Sequence, residues 1–254
     1  MRIARLARPG APPAFARLDG GEARFLDAAP WLGGKETGAR GRFAEADLRA
    51  PIEPTKIVAI ARNYAAHARE LGHDVPSEPL LFLKPPSSVL DPAGVVRLPA
   101  ASQRVEHEAE LGVVIGARAK DVPEADALAH VFGYVVVCDV TARDLQKKDV
   151  QFTRAKGFDT FCPAGPWIET DLDPRDVEVS LRVNGQTRQR GRTRDMIFPV
   201  AKLVSYVSHV MTLEPGDVIS TGTPEGVGPL VHGDAVEIEV EGIGVLRVSC
   251  ADAR

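Results

Sequence analysis

Three glutamates alternate along residues 105–115 (VEHEAELGVVI) of this 254-residue chain. In a strand, side chains alternate between the two faces, so Glu106, Glu108 and Glu110 would share one face. Like charges at that spacing repel one another, and a bound cation relieves the repulsion. Ligation by oxygen alone suits Mg²⁺, Mn²⁺ or Ca²⁺ better than zinc. The segment therefore predicts a divalent-cation site; the alternative is a solvated face at the edge of a sheet.

A further carboxylate supports this hypothesis. Asp139 follows the apolar run 131–138, and a carboxylate just past a buried strand costs free energy unless it is paired or bound to a metal. The alternative is a cap for the short helix that follows, with Thr141 and Asp144 as a capping pair. Three carboxylates on one Mg²⁺ would leave coordination positions open for water and substrate oxygens.

Two other segments have the residue types of a catalytic site. His67 and Glu70 lie three residues apart on a predicted short helix at 64–71, so they can point the same way as a base and its orienting carboxylate. A surface ion pair is the alternative for that spacing. The glycine-rich segment 221–229 (TGTPEGVGP) can hold a carboxylate with backbone amides and a hydroxyl, or can be an ordinary turn.

The elements that position these residues are mostly strands. Apolar runs predict strands at 57–61, 80–83, 108–115, 131–138, 177–183, 218–221, 235–240 and 245–248. Helices are expected at 64–71, 123–130, from residue 142, and at 199–211. Strands and helices do not alternate as in βαβ units, so the predicted fold class is α+β, largely β.

The first fifty residues predict a unit of their own. Short strands are expected at 1–7, 14–18 and 23–26, the last two joined across DGGE as in a hairpin, and Asn184-Gly185 predicts a second hairpin. Residues 33–42 (GGKETGARGR) predict a loop. We therefore predict a small N-terminal β domain at 1–50 and a catalytic domain at 51–254.

Composition excludes several classes of protein. Hydrophobic residues make up 44% of the chain, charged residues 26%, and the net charge is −4, which is typical of a globular protein and disfavours nucleic-acid binding. The apolar run 131–138 is far shorter than the roughly 20 residues of a membrane-spanning helix. The N-terminus lacks the pattern of an export signal, and three isolated cysteines show no metal-site spacing. We expect a cytoplasmic protein.

Six motifs, in order over roughly residues 55–250, resemble the fumarylacetoacetate hydrolase family. They are ARNY at 61–64 with His67 and Glu70, FLKP at 82–85, HEAEL at 107–111, DVTARDLQ at 139–146, AKGFD at 155–159, and TGTPEGVG at 221–228. The resemblance implies a mixed β-roll fold with the small N-terminal β unit added to it, and a homodimer. One departure is a shorter chain between Asp139 and Lys156 than in acylpyruvase-like members, which leaves the substrate size open.

The resemblance also implies roles for particular residues. The metal ligands would be Glu108, Glu110 and Asp139, binding Mg²⁺, with Mn²⁺ or Ca²⁺ as alternatives. Lys156 would be catalytic beside the predicted pair His67 and Glu70. The substrate contacts would be Arg62, Tyr64, Lys84, Arg143, Gln146 and Thr223.

Members of this family act on small 2-oxo acids, and an enolate stabilised by the metal is common to their reactions. We expect C–C bond hydrolysis of an acylpyruvate or fumarylpyruvate, with residues 64–71 as a mobile lid. One alternative is an isomerase or decarboxylase, of the 2-hydroxyhepta-2,4-diene-1,7-dioate type or acting on oxaloacetate. Another is a metal-stabilised domain that binds a small acid without turnover, although a purely structural cation site would not need Lys156.

Overall fold

Strands make up most of the regular structure. The computed structural model describes residues 1–253. In chain order the strands are β1 (Arg2–Arg8), β2 (Ala11–Asp19), β3 (Glu22–Leu26), β4 (Glu36–Arg42), β5 (Leu48–Arg49), β6 (Ile57–Ala61), β7 (Leu80–Lys84), β8 (Val89–Leu90), β9 (Val95–Leu98), β10 (Val105–His107), β11 (Ala109–Ile115), β12 (Val131–Cys138), β13 (Thr141–Ala142), β14 (Cys162–Glu169), β15 (Glu178–Val183), β16 (Gln186–Arg192), β17 (Val218–Ser220), β18 (Gly228–Pro229), β19 (Ala235–Val240) and β20 (Gly244–Asp252). The α-helices are α1 (Ala65–Glu70), α2 (Arg143–Lys148), α3 (Thr153–Lys156) and α4 (Val200–Val210). Short 3₁₀ helices lie at Pro30–Leu32, Glu45–Asp47, Pro86–Ser88, Glu124–His130 and Thr193–Asp195.

One large sheet and two smaller sheets contain these strands. The large sheet has twelve strands in the order β4-β3-β2-β1-β14-β12-β11-β17-β6-β7, with β5 paired to β1 and β8 paired to β14. A second sheet has the order β16-β15-β19-β20-β9, and a small third sheet has the order β13-β10-β18. The pairs β6–β17, β8–β14 and β9–β20 are parallel, and the other pairs are antiparallel. The prediction of an α+β, largely β fold is confirmed.

Strands β11 and β12 lie in the middle of the large sheet, and both of their faces are covered. Leu111 and Val136 belong to a core cluster with Ile238 of the five-stranded sheet. On the opposite face, Val114 lies in a second cluster with Ile3 of the N-terminal strands. Every residue of β11 is buried. A strand buried on both faces is apolar almost throughout, so any charged residue at its end needs partners.

Residues 1–50 extend the large sheet. β1 pairs with β14 at Arg2↔Glu169 and Ile3↔Ile168, and β5 returns to pair with β1. Strands β2, β3 and β4 follow β1 in order toward one edge. The division of the chain into two domains at residue 50 stays a prediction.

Both predicted hairpins are present. Asn184 and Gly185 have φ values of 52° and 75° and join β15 to β16. Gly20 and Gly21 have φ values of 55° and 89° and join β2 to β3. Two-residue hairpin turns favour this left-handed backbone, which asparagine and glycine adopt readily.

Two element predictions are wrong. The structure has β4 where the sequence predicts a loop at 33–42. This strand is exposed and near the edge of the sheet, so it depends on backbone hydrogen bonds and shows no apolar pattern. The predicted helix at 123–130 is a 3₁₀ helix in which only Ala127 is buried, and one buried residue is too few to form the apolar stripe of an α-helix.

Two observations bear on the expected surroundings of the protein. Among the helices of residues 1–253, none is long and apolar enough to cross a membrane. The three cysteines, Cys138, Cys162 and Cys250, are buried and free.

Asp217 connects the turns that precede the parallel pair β6 and β17. Its side chain is fully buried. Oδ1 accepts hydrogen bonds from the Thr55 amide at 3.0 Å and from the Lys56 amide at 3.1 Å, and Oδ2 accepts from the Glu214 amide at 2.8 Å. Lys56 Nζ also contacts Oδ2. A charged acceptor with this many donors cannot be replaced by a neutral amide without leaving donors unpaired.

We therefore expect Asp217→Asn to lower the free energy of unfolding by about 2–4 kcal/mol in urea denaturation. The matched control is Asp252→Asn, because the Asp252 side chain is 74% exposed and its replacement should change stability by less than about 0.5 kcal/mol. Equal effects of the two substitutions would contradict this role of Asp217.

Candidate active site

Pairing of β11 with β12 brings three carboxylates together. Ala109 lies opposite Cys138 in the register, and the Asp139 amide donates to the Glu108 carbonyl oxygen at 2.9 Å. One carboxylate oxygen from each of Glu108, Glu110 and Asp139 lies within 4.8 Å of the others. All three residues are buried, with at most 5% of their surface exposed. The start of one strand and the end of its neighbour therefore form an acidic cluster.

Glu106 is not one of the three clustered carboxylates, so the predicted row of three glutamates supplies only two members of the cluster. β10 pairs with β13 and β18 of the small sheet, whereas β11 pairs with β12 and β17 of the large sheet. The strand is interrupted at Glu108, where the pairing partners change, although Arg143 still bonds the carboxylates of both Glu106 and Glu108. The Glu106 carboxylate instead accepts from Arg104 Nε at 2.5 Å and from Arg143 Nε at 2.7 Å.

Buried cations contact two of the three clustered carboxylates. Lys156 Nζ donates to Glu108 Oε2 at 2.8 Å and to Asp139 Oδ2 at 2.6 Å. Lys84 Nζ donates to Asp139 Oδ1 at 2.7 Å, and Arg143 Nη2 donates to Glu108 Oε1 at 2.5 Å. These contacts are incompatible with Asp139 serving as a helix cap. Burial alone would raise the pKa of Glu108, but Lys156 and Arg143 hold that pKa well below its usual range.

Lys156 is protonated in this arrangement. Burial alone would lower its pKa, but the neighbouring carboxylates of Asp139 and Glu108 outweigh burial and raise that pKa. The ammonium also lies 5.0 Å from the centroid of the Phe82 ring. Lys156 can therefore donate hydrogen bonds as an ammonium group near neutral pH, but the raised pKa does not favour a role as a base or as a proton donor.

Glu110 has different surroundings. Its Oε2 accepts from Ser220 Oγ at 2.5 Å and from the Gly222 amide at 2.9 Å, and no cationic side chain within residues 1–253 forms an ion pair with it. Burial, with the neighbouring carboxylates of Asp139 and Glu108, raises the pKa of Glu110 to about 8. Three buried oxygen donors, one of them without a cationic partner, fit a hard divalent cation.

A cavity of about 400 Å³ opens beside the acidic cluster. Its wall includes eight of the predicted site residues: Arg62, His67, Glu108, Glu110, Arg143, Gln146, Lys156 and Thr223. Apolar side chains complete the wall, among them Ile60, Leu71, Phe82 and Phe152. Such a volume accommodates a small organic acid.

His67 is part of this wall and is not a surface residue. Only 4% of it is exposed, and its Nδ1 lies 3.1 Å from Glu70 Oε2. Glu70 accepts hydrogen bonds from the Gly226 amide at 3.0 and 3.2 Å. The carboxylate is thereby fixed and can hold the imidazole in one orientation. Glu70 itself does not line the cavity.

The segment 221–228 holds carboxylates of the protein itself. The Gly222 amide bonds Glu110, and the Gly226 amide bonds Glu70. Both glycines have φ of 95°. A Cβ at position 222 would lie 2.7 Å from the Asn63 side chain, and one at position 226 would lie 2.1 Å from the Arg188 carbonyl oxygen. Glycine is therefore needed at both positions, and the segment is more than an ordinary turn.

Two residues expected to contact substrate lie elsewhere. Lys84 is fully buried behind Asp139, and its ammonium also contacts the carbonyl oxygens of Val140 and Lys156. Tyr64 is 2% exposed, and its hydroxyl has no hydrogen-bond partner within residues 1–253. Neither residue is part of the cavity wall that residues 1–253 form. The Lys84 ammonium lies in the interior because it compensates the buried charge of Asp139, which water cannot reach.

Some residues that support the site received no role in the sequence analysis. Ser220 ends the apolar strand β17 and bonds Glu110. Phe82 and Phe152 pack edge to face at 5.7 Å beside Lys156. Gln189 lies in the hairpin strand β16, where nothing in the local pattern distinguishes it from its exposed neighbours.

Comparisons with known proteins agree with the fold. The family model described as fumarylacetoacetate (FAA) hydrolase C-terminal matches residues 56–250, and a model described as Rv2993c-like, N-terminal matches residues 1–51. A mitochondrial oxaloacetate tautomerase of Arabidopsis thaliana is 49% identical over 199 residues, which are 76% of this chain and 89% of that protein.

Solved structures also resemble the whole chain. The crystal structure of a 5-carboxymethyl-2-hydroxymuconate delta-isomerase from Mycobacterium smegmatis has a TM-score of 0.91 and 46% identity, and the match covers 100% of both chains. Fumarylpyruvate hydrolase from Pseudomonas aeruginosa, in complex with Mn²⁺ and pyruvate, has a TM-score of 0.75 and 36% identity over 80% of this chain and 91% of that chain. With its β-roll, its acidic cluster and the matched residues, this chain belongs to the fumarylacetoacetate hydrolase family of enzymes.

Proposed function

We propose that this chain is a divalent-cation-dependent enzyme that acts on a small 2-oxo acid through its enolate. The observation that carries the proposal is the cavity that His67 and Lys156 line together with Glu108 and Glu110, two of the three clustered carboxylates; Asp139 lies behind its wall. The ligands would be Glu108, Glu110 and Asp139. A Mg²⁺ or Mn²⁺ ion held there would supply a Lewis acid that stabilises negative charge on an enolate oxygen.

Lys156, Arg143 and Gln146 bind and orient the acid in this proposal. Lys156 donates to the oxygen that gains negative charge, because it is protonated and buried in the cavity wall. Gln146 Oε1 accepts from Arg143 Nη1 at 2.6 Å. The amide nitrogen of Gln146 can therefore donate to a substrate carboxylate. Lys84 would act indirectly by fixing Asp139.

His67 moves the proton. Glu70 accepts from His67 Nδ1, so Nε2 is the basic nitrogen that is free to take a proton. Taking it from carbon 3 of the acid leaves the enolate, and returning that proton to the oxygen on carbon 2 gives the enol. Taking a proton from water instead prepares the attack that cleaves a C–C bond. One dyad therefore serves both reactions.

Proton transfer at carbon 3 is the reaction that we put first. A tautomerase and an isomerase are among the relatives, at 49% and 46% identity, whereas the fumarylpyruvate hydrolase is 36% identical. C–C hydrolysis, which the sequence alone favours, is the second candidate, and the fixed His67–Glu70 pair is the observation that supports it. The non-catalytic alternative is set aside because the matching relatives are enzymes.

Several expectations remain proposals. They are the homodimer, the cytoplasmic location, the division at residue 50, and the lid at residues 64–71. His67 and Ala68 are already buried in helix α1, so a lid would have to move buried side chains when it opens.

The role of His67 predicts a specific loss of activity. His67→Ala should lower kcat by about 10²- to 10⁴-fold, the usual effect of removing a general base. The assays are initial rates of oxaloacetate tautomerisation and of acetylpyruvate and fumarylpyruvate hydrolysis, each with Mg²⁺ and with chelator. His232→Ala is the control, because its side chain is 67% exposed. If His67→Ala keeps the rate of the unaltered enzyme, His67 is not the base.

The role of the acidic cluster predicts a loss of metal affinity. Glu110→Gln keeps an oxygen for Ser220 and Gly222 but removes the charge, so Mg²⁺ and Mn²⁺ should bind at least about tenfold more weakly in calorimetry. Glu225→Gln is the matched control, since Glu225 is an exposed carboxylate of the same loop. Equal affinities of the two variants would rule out Glu110 as a ligand.

Two cations of the cavity wall favour a dicarboxylate. Arg62 and Lys147 line the cavity, and neither forms an ion pair with a carboxylate within residues 1–253. In contrast, Arg143, Lys156 and Lys84 are all paired. The unpaired cations are therefore available for a second carboxylate of the substrate.

We expect the double variant Arg62→Gln with Lys147→Gln to lower kcat/KM for a dicarboxylate, oxaloacetate or fumarylpyruvate, by about tenfold more than for the monocarboxylate acetylpyruvate. Lys148→Gln is the control, because Lys148 is the next residue of α2 and lies outside the cavity wall. Equal losses on both kinds of substrate would contradict recognition of a second carboxylate.

A further inference from the structure

Gln189 is a buried amide in a strand that is otherwise exposed. Within β16, only Gln189 is buried, with 1% of its surface exposed. A buried amide costs free energy unless it is hydrogen-bonded, so its position needs an explanation beyond packing. Gln189 is not part of the cavity wall that residues 1–253 form. Any effect of Gln189 on the reaction is therefore transmitted through other residues.

All four hydrogen-bonding positions of this amide are occupied. Oε1 accepts from the Ala109 amide at 3.0 Å and pairs with His107 Nδ1 at 2.9 Å. Nε2 donates to Thr223 Oγ1 and to the Pro224 carbonyl oxygen, both at 2.8 Å. A glutamine side chain has two donor hydrogens and two acceptor positions. The Gln189 side chain therefore has no unused donor or acceptor.

The partners fix the direction of every bond. The Ala109 amide can only donate and the Pro224 carbonyl can only accept, so the orientation of the Gln189 amide is determined. His107 must then donate from Nδ1. Thr223 accepts from Gln189 and donates to the Ala109 carbonyl oxygen at 2.9 Å. The network is closed and has a single arrangement of hydrogens.

We propose that Gln189 is a positioning residue of the active site, which locks β11 against the segment 221–228. Ala109 lies between Glu108 and Glu110 in the sequence. Gln189 Oε1 is therefore bonded to the backbone between the two proposed cation ligands. The other side of the Gln189 amide is fixed to Thr223, which lines the cavity. The inference rests on the proposed function only in assigning this cavity to the reaction.

The same bonds extend to the proposed base. Pro224 is two residues before Gly226, whose amide holds Glu70, and Glu70 orients His67. Without Gln189, the loop would keep its direct bonds to β11 from Gly222 and Thr223, but it would lose the bond that holds Pro224, next to the part that carries Gly226. The distance between the acidic cluster and His67 therefore depends on Gln189.

The principal test is Gln189→Leu, which keeps most of the volume and removes all four hydrogen bonds. We expect kcat to fall by about 10²-fold, as for a small misplacement of catalytic groups, while Mg²⁺ affinity stays at its original value because the carboxylates keep their own partners. Gln186→Leu is the matched control, the same change at an exposed position of the same strand. A kcat for Gln189→Leu equal to that of the control would overturn the proposal.

A second variant and a binding measurement separate positioning from folding. Gln189→Glu has the shape of Gln189 and keeps the acceptors for Ala109 and His107 but loses both donors. We therefore expect a folded protein of lower stability and lower kcat. A kcat equal to that of the unaltered enzyme overturns the proposal, including when Gln189→Leu does not fold. In the presence of Mg²⁺, oxalate should bind Gln189→Glu about tenfold more weakly, and unchanged oxalate binding counts against it. The oxalate measurement needs no turnover, so it tests the role of Gln189 even if the unaltered enzyme is inactive on every 2-oxo acid. That inactivity would refute the proposed function and not the role of Gln189.

A double-mutant cycle with Thr223→Val tests the route of the effect. If Gln189 acts through Thr223, the double variant loses no more kcat/KM than the more impaired of the two single variants. Losses that multiply would show that the two residues act independently, and would overturn the lock that the proposal places between Gln189 and Thr223.

Discussion

Three carboxylates are buried at the end of a strand pair whose two faces are both apolar, and the rest of the site follows from that constraint. Taking a charge out of water costs several kcal/mol, so each buried carboxylate needs compensating contacts. Lys156 bridges Glu108 and Asp139, and Lys84 supports Asp139 from behind. Glu110 has only a hydroxyl and an amide, so the cluster can take one more cation.

The large sheet makes this arrangement possible because it brings distant segments to one end. β12 ends just before Asp139, β11 begins just after Glu108, and β17 on the other side of β11 leads into the glycine-rich segment 221–228. That segment bonds Glu110 and Glu70 through its amides. One turn therefore connects Glu110 of the acidic cluster to Glu70, the hydrogen-bond partner of His67. A shift of this turn would move both carboxylates.

The sequence predicted the parts of the site that depend on residue type and spacing. The alternation of Glu108 and Glu110, the position of Asp139 after an apolar strand and the spacing of His67 and Glu70 all led to residues that the fold brings together. Local patterns could not reveal contacts between distant segments. Nothing near Lys84 indicates that it turns inward to Asp139, 55 residues away.

Errors in the sequence analysis have the same origin. Alternation predicted one row of three glutamates, but Glu106 is not part of the acidic cluster. The strand changes its partners at Glu108, and strand partners are a property of the whole fold. The exposed strand β4 was missed because backbone pairing leaves no mark on side-chain pattern. The six ordered motifs, in contrast, identified the family because each of them contains residues of this one site.

The most direct test of the central claim is a crystal structure of the protein grown with Mn²⁺ and oxalate, with anomalous diffraction used to locate the metal. The account predicts one anomalous peak bonded to oxygens of Glu108, Glu110 and Asp139, with oxalate on its open side and within hydrogen-bonding distance of Lys156 or Gln146. An anomalous peak elsewhere, or none at this cluster when Mn²⁺ is in excess, would contradict it.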